Sequence, residues 1–156
     1  MARYSIHEVL EQAIRTEKLG NEFYNEMAER FQDDSALHEL FIVLAQQEVQ
    51  HEKFFSDLKA RTKEEEFENW EEVSNYFRAV VESEFFLGKS KSLPSMEHIL
   101  SAYQAVTFAI DFERETVLYF LGLKEAVREK EAIDEIINEE KKHIAILSRY
   151  RDSIVA

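Results

Sequence analysis

Two copies of a Glu-x-x-His motif are the residues of this sequence best suited to bind a metal ion. Glu48 and His51 lie in the stretch AQQEVQHEKF, and Glu140 and His143 lie in the stretch NEEKKHIAIL. Residues three apart share a helix face, so each motif would present a carboxylate beside an imidazole. Such ligands suit iron and manganese, and also zinc. The chain has five histidines and 32 acidic residues, so the spacing by itself needs support from the elements that carry it.

Those elements are predicted by apolar residues that recur at alternating steps of three and four, as on a helix. Four long segments have such a stripe, and glutamate interrupts each of them. In the second and fourth segments the interruption is a Glu-x-x-His motif. In the first and third segments it is a single acid, Glu17 or Glu113. A capping box formed by Ser5 and Glu8 predicts where the first helix begins.

The turns between these segments predict that the four glutamates meet. The midpoint between Glu17 and Glu48 falls in the polar break after the first segment, and that between Glu113 and Glu140 falls in the turn after the third. The acids of each antiparallel hairpin then lie at equal heights, about 20 Å from the turn. Buried carboxylates are costly unless they are neutralised, and two divalent cations would balance four of them. The predicted ligands are Glu17, Glu48, His51, Glu113, Glu140 and His143.

The composition predicts an all-α protein. Three glycines and one proline in 156 residues leave few turns, and 45% of the residues are hydrophobic, which is enough for a core. The hairpins span about residues 5–60 and 95–154, and the crossover, residues 61–92, contains a short helix around residues 71–86. We therefore expect one domain over residues 1–156, a four-helix bundle with one long crossover.

Charge and composition exclude several kinds of partner and site. A net charge of −13 disfavours nucleic acid and anionic membrane surfaces, which bind clustered lysine and arginine. Cysteine is absent, so there is no disulfide, no thiolate metal site and no cysteine nucleophile. No apolar run resembles a signal peptide or a membrane-spanning helix, so we expect a cytoplasmic protein with no membrane partner.

The candidate ligands resemble the pattern of the ferritin-like di-iron carboxylate proteins, most closely that of the rubrerythrins. The resemblance covers nearly the whole chain. It rests on Glu17 with Tyr24 seven residues later, on Glu113 after the stretch TFAID, and on the two Glu-x-x-His motifs. It implies a ferritin-like four-helix bundle that binds two iron ions, with manganese or zinc as alternatives.

Departures from the family pattern concern electron supply and assembly. Rubrerythrins typically carry a rubredoxin-like module that binds iron through four cysteines, and this chain has none. Electrons would then come from a separate donor such as a rubredoxin or a ferredoxin. The additional glutamate that rubrerythrins carry three residues after the third-helix ligand is Thr116 here. Thirteen residues follow His143, too few for the fifth helix of ferritin cages, so we expect a homodimer rather than a storage shell.

Two functions are compatible with this resemblance. The first is a di-iron oxidoreductase of the peroxidase or oxidase type, acting on O₂ or peroxide. In that interpretation Glu48 and Glu140 bridge the metals, each histidine binds one metal, and Glu17 and Glu113 are terminal ligands. The second is iron binding, buffering or sensing with the same ligands and little turnover. A manganese catalase-like activity ranks below both, and the sequence identifies no organic substrate.

Three polar residues near the ligands have open roles. Tyr24 lies two turns from Glu17 on the same stripe, where it is either a hydrogen-bond donor or radical relay, or a packed core tyrosine. Gln47 and Glu139 each precede a motif glutamate. Both are polar, and the sequence names no partner for the histidines; we expect both residues to lie on a solvated helix face rather than beside the histidines.

Overall fold

The computed structural model describes residues 4–64, 68–89 and 92–155, and every regular element in these ranges is helical. The elements are α1 (Ile6–Arg30), α2 (Ser35–Arg61), α3 (Trp70–Val81), a 3-10 turn (Leu87–Lys89), α4 (Ala102–Ala126) and α5 (Lys130–Val155). The all-α prediction is confirmed. Residues 65–67 and 90–91 of the predicted crossover lie outside the described residues.

The four long helices form two antiparallel hairpins, α1 with α2 and α4 with α5. In each hairpin, residues near the turn contact each other and residues far from it contact each other. The contacts that establish this order are Asn21–Ala45 and Glu11–Lys59 in the first hairpin, and Lys124–Asp134 and Thr107–Arg151 in the second. The predicted pairing of the segments is therefore correct.

Side-chain caps fix the beginning of the helices in the first hairpin. The predicted capping box is present: the Ser5 hydroxyl accepts from the N–H of Glu8 at 3.1 Å, and the Glu8 carboxylate accepts from the N–H of Ser5 at 3.3 Å. Asp34 caps α2 by accepting from the N–H of Leu37 at 3.1 Å. Caps of this kind satisfy N–H groups that have no partner within the helix.

Helix α3 is the short helix predicted in the crossover, and it ends earlier than expected. It stops at Val81 rather than near residue 86, because the backbone turns at residues 82–85. Its first residue is anchored to the start of the chain, since the Trp70 indole N–H donates to the carbonyl of Tyr4 at 2.8 Å. The helix also packs on α4, where the rings of Phe77 and Tyr119 lie 4.9 Å apart.

Helix α4 begins later than the predicted boundary near residue 95. Its cap is Ser101, whose hydroxyl accepts from the N–H of Gln104 at 3.2 Å, and the helix starts at Ala102. Pro94 disfavours helical backbone in the residue before it, and the chain from 93 to 100 is not helical. The apolar stripe therefore extends upstream of the helix, with Ile99 buried from a non-helical segment.

The core consists of two apolar clusters, one toward each end of the bundle. One cluster includes Leu10, Phe55, Phe120 and Ile133, and the other includes Phe23, Phe41, Ala109 and Leu147. Between them, all four long helices carry buried polar residues instead of apolar ones. No helix among the described residues is long and apolar enough to cross a membrane.

Candidate metal centre

The two Glu-x-x-His motifs and the two single glutamates meet in the layer between the apolar clusters. None of these six side chains is more than 4% exposed. The contributing residues are Glu17 from α1, Glu48 and His51 from α2, Glu113 from α4, and Glu140 and His143 from α5. The structure therefore brings together every residue that the sequence predicted as a metal ligand, at the predicted mid-bundle level.

The six side chains form two overlapping groups of potential ligands. One group is Glu17, Glu48, His51 and Glu140, and the other is Glu48, Glu113, Glu140 and His143; in each, one ligand atom per residue lies within 4.8 Å of the others. Glu48 and Glu140 belong to both groups. Each group adds one further glutamate and one histidine. Two shared carboxylates between two such groups make an arrangement suited to a pair of cations.

Most of the potential ligand atoms are buried without a hydrogen-bond partner among the described residues. They are both carboxylate oxygens of Glu17 and of Glu140, one oxygen each of Glu48 and Glu113, and Nδ1 of both histidines. Buried polar atoms are ordinarily paired, so such a concentration requires an explanation. A pair of divalent cations would satisfy these lone pairs, and carboxylates with imidazole suit iron, manganese or zinc. The residues present thus fit a two-metal site.

The carboxylates of the metal-free cluster favour their protonated forms. Burial, followed by repulsion from Glu140, raises the pKa of Glu113 to about 8. The same two causes raise the pKa of Glu17 and of Glu48 well above the ordinary value. Burial would also raise the pKa of Glu140, but the close approach of Glu113 and of the two histidines outweighs burial and lowers it. A cluster of four glutamates thus keeps one clearly ionised member when no cation is bound.

The two histidines favour their charged forms in that state. Burial alone would lower the pKa of His51, but Glu140 and other carboxylates raise it to about 10. His143 likewise has a pKa raised to about 10, by Glu113 and Glu140 against the effect of burial. Protons therefore neutralise part of the carboxylate charge. A metal ion would displace these protons, since a histidine ligand must be neutral.

The outer ring nitrogen of each histidine is held by the residue that precedes the opposite motif. Nε2 of His51 lies 2.5 Å from Oε2 of Glu139, and Nε2 of His143 contacts Oε1 of Gln47. A hydrogen bond donated from Nε2 leaves Nδ1 as the nitrogen that can bind a metal. Nδ1 of His51 indeed lies on the glutamate side, 2.8 Å from Oε1 of Glu140.

Glu139 lies on an exposed helix face as predicted, and Gln47 is partly exposed, but each side chain also contacts a buried histidine, which the sequence did not predict. Glu139 is about half exposed, at 49%, yet its carboxylate contacts a buried histidine on another helix. The available signal was position: each residue directly precedes a motif glutamate. A side chain about 100° round the helix from an inward-facing one points along the neighbouring helix, so it can reach that helix's histidine.

Tyr24 is a partner of the cluster as well as a packed core residue. It is fully buried, and its hydroxyl donates to Oε1 of Glu113 at 2.6 Å. The sequence placed it beside Glu17 on its own helix, whereas the structure pairs it with the acid of α4. Burial, followed by the Glu113 charge, raises the pKa of Tyr24 well above its usual value, so the hydroxyl keeps its proton.

Comparison with known proteins agrees with this geometry. The family model of the rubrerythrins matches residues 8–151. The chain belongs to the rubrerythrin family. A solved structure from Thermotoga maritima, described as that of a ferritin-like diiron-carboxylate protein, matches with a TM-score of 0.72 over 97% of both chains, at 24% sequence identity. That likeness confirms the ferritin-like fold. A search of curated proteins finds no match.

A glycine gives this rubrerythrin-family chain room for one shared carboxylate. A Cβ atom at Gly20 would lie 2.9 Å from Oε2 of Glu48, closer than Cβ contacts ordinarily are. Glycine in the middle of a helix costs about 1 kcal/mol relative to alanine. The Glu48 carboxylate can therefore approach α1 only because the helix lacks a side chain there.

The family's additional glutamate is replaced by a residue that does not offer a carboxylate. Thr116 is buried, and its hydroxyl donates to the carbonyl of Phe112 at 2.8 Å within the same helix. Its hydrogen-bond donor is thus used by the backbone of α4. The buried cluster thus contains four glutamates among the described residues, without the additional one that the resemblance to rubrerythrins led us to expect.

Proposed function

We propose that this chain binds two iron ions in the bundle core and uses them to reduce peroxide or O₂ with electrons from a separate protein donor. The observation that carries the proposal is the pair of overlapping ligand groups, each with its own glutamate and histidine and with Glu48 and Glu140 in common. Manganese and zinc have ligand preferences similar to those of iron, so the identity of the bound ions is decided by measuring the metal content.

The residues divide into roles by their positions. Glu48 and Glu140 belong to both ligand groups and would help to hold both ions, whereas the remaining glutamate and histidine of each group would hold one ion. The iron pair, when bound, supplies the electrons that cleave the O–O bond. Reduction of hydrogen peroxide to two water molecules takes two electrons and two protons. Tyr24 is placed to hold a proton at Oε1 of Glu113, 2.6 Å from its hydroxyl.

The donor is a separate protein because the chain contains no cysteine to form an electron-transfer module of the rubredoxin type. A rubredoxin or a ferredoxin has the required chemistry. The buried position of the cluster keeps the ligands away from bulk water, which limits side reactions of a reduced metal pair.

A second candidate function is iron binding or buffering with little turnover. The observation that favours it is Thr116, since the site lacks the carboxylate that rubrerythrins typically have at this position. The same six ligands would bind the ions, and only the rate of peroxide or O₂ consumption separates the two functions.

Steady-state consumption of hydrogen peroxide and of O₂, with chemically reduced rubredoxin as donor, tests the proposal. Metal content is measured on the same samples. We expect turnover that increases with iron content and disappears when Glu48 and His51 are both replaced by alanine. A control variant with the exposed residues Gln46 and Gln50 replaced by alanine should retain it. Two bound iron ions without consumption of either oxidant would instead establish the buffering function.

A further inference from the structure

The two halves of the cluster are related by the repeated hairpin, but the groups behind the two histidines differ in charge. His51 has the carboxylate of Glu139 behind its outer nitrogen, at 2.5 Å. His143 has the neutral amide of Gln47 at the corresponding position. A carboxylate that accepts the outer N–H makes the inner nitrogen of an imidazole a stronger metal ligand than a neutral acceptor does.

The hydrogen bonding of the two single glutamates, Glu113 and Glu17, also favours stronger metal binding on the side of His51. Glu113 receives a hydrogen bond from the hydroxyl of Tyr24 at 2.6 Å, which draws electron density from one of its ligand atoms. Glu17 has no hydrogen-bond partner on either oxygen among the described residues. The residue of α4 that corresponds to Tyr24 by position is Phe120, which has no hydroxyl to donate.

The carboxylates also lie closer to one histidine. Nδ1 of His51 is 2.8 Å from the nearest oxygen of Glu140, whereas Nδ1 of His143 is 3.4 Å from the same residue. The next glutamate is 3.6 Å from His51, and for His143 it is 3.9 Å away. The ligand atoms around His51 are thus the more compact set.

We propose that the two metal positions are unequal and fill in a fixed order, first the position of Glu17 and His51, then that of Glu113 and His143. The proposal rests on the two-metal site described under the proposed function. Glu139 and Gln47 act as positioning residues that set the order through the histidines. Changes to such partners typically alter metal affinity by about 10- to 100-fold, so we expect the first ion to bind at least about 10-fold more tightly.

Titration of the chelator-treated, full-length protein with Zn(II) tests the order without any catalytic reaction. The ring nitrogens of histidine are labelled with ¹⁵N and followed by NMR, and His51 and His143 are assigned from single substitutions. We expect the first equivalent of Zn(II) to shift the signals of His51 and the second to shift those of His143. Simultaneous shifts of both, or His143 responding first, would overturn the proposal.

Exchange of the two positioning residues, Glu139 and Gln47, tests whether they cause the filling order. The double variant Glu139→Gln with Gln47→Glu keeps a hydrogen-bond acceptor behind each histidine and moves only the charge. We expect it to bind two ions and to reverse or abolish the order. The control Glu135→Gln removes a charge from the exposed face of α5 one turn away and should leave the order as in the wild type.

The outcomes separate this proposal from the proposed function. Two Zn(II) ions bound in the wild-type order by the exchanged variant would overturn the role of Glu139 and Gln47 and leave the metal site intact. No shift of either histidine, with Zn(II) or with Fe(II), would overturn the proposed function itself.

The variant Tyr24→Phe removes the hydrogen bond to Glu113 and is expected to narrow the difference between the metal affinities of the two positions.

Discussion

The metal-free protein should lose stability as the pH rises from 6 to 8, because the buried cluster holds protons that the unfolded chain releases. The pKa of Glu113 is raised from 4.5 to about 8, so in this window the folded state binds more protons than the unfolded state. His51 and His143, with pKa values raised from 6.5 to about 10, act in the same direction above pH 6.5. The lowered pKa of Glu140 has the opposite effect, but only below about pH 4.5.

The size of the loss follows from the number of protons retained. One proton held by the folded state alone changes the free energy of unfolding by about 1.4 kcal/mol per pH unit. Glu113 is almost fully protonated at pH 6 and about half protonated at pH 8, so it alone contributes a loss of about 2 kcal/mol. For a domain of this length, about 2 kcal/mol lowers the melting temperature by about 4–8 °C.

Urea unfolding with a chelator present, at pH 6 and pH 8, measures this loss. The variant with Glu17 and Glu113 both replaced by glutamine should lose at least about 2 kcal/mol less than the wild type over the same range, since Glu113 alone accounts for that amount. A matched control replaces Glu22 and Glu125, two exposed acids of the same helices, by glutamine. It makes the net charge of −13 less negative by the same two units as the test variant. The control should behave like the wild type.

Metal should reverse the trend, because bound cations favour the ionised ligands. An ion that binds only the folded state adds about 2.7 kcal/mol at a hundredfold excess over Kd. Mn(II) should therefore raise the stability more at pH 8 than at pH 6. Equal pH dependence of the wild type and the Glu17/Glu113 variant, with no effect of metal on either, would refute the buried carboxylate cluster as the cause.

Three further predictions concern single contacts and the assembly. Gly20→Ala should stabilise the metal-free protein in urea by up to about 1 kcal/mol and weaken Mn(II) binding, because the added Cβ crowds the Glu48 carboxylate; unchanged Mn(II) affinity would contradict this account. Tyr24→Phe should lower the free energy of unfolding of the metal-free protein by about 1 kcal/mol, since Glu113 loses its buried donor; no change in urea unfolding would show that the contact contributes nothing. Light scattering should give the mass of a dimer, and a hollow shell of many chains would instead favour iron storage.

The clustering of the six candidate ligands could be predicted because two independent patterns agree on it. Glu17 and Glu113 interrupt apolar stripes of helical period, which places them inside the bundle. The position of each turn then fixes the heights of facing residues, since an antiparallel hairpin pairs residues equally far from it. Periodicity and turn position are local properties of the sequence, and the structure follows both.

The contacts that the sequence did not predict join residues of different hairpins. The partner of Glu139 is His51 and the partner of Tyr24 is Glu113, and both contacts depend on how the two hairpins pack against each other. A helical period gives the face of each residue but not the rotation of one hairpin relative to the other. The late start of α4 at Ala102 has a different cause, because a stripe of apolar residues continues into non-helical chain that is also buried.

Metal stoichiometry tests the central claim most directly. The purified protein is loaded with Fe(II) without oxygen, passed through a desalting column, and analysed for metal and protein in the same fractions. The account predicts two iron ions per chain in the wild type, and loss of the pair when Glu48 and His51 are both replaced by alanine in a variant whose helical circular dichroism is retained. Two ions per chain in that variant, or none in the wild type, would contradict it.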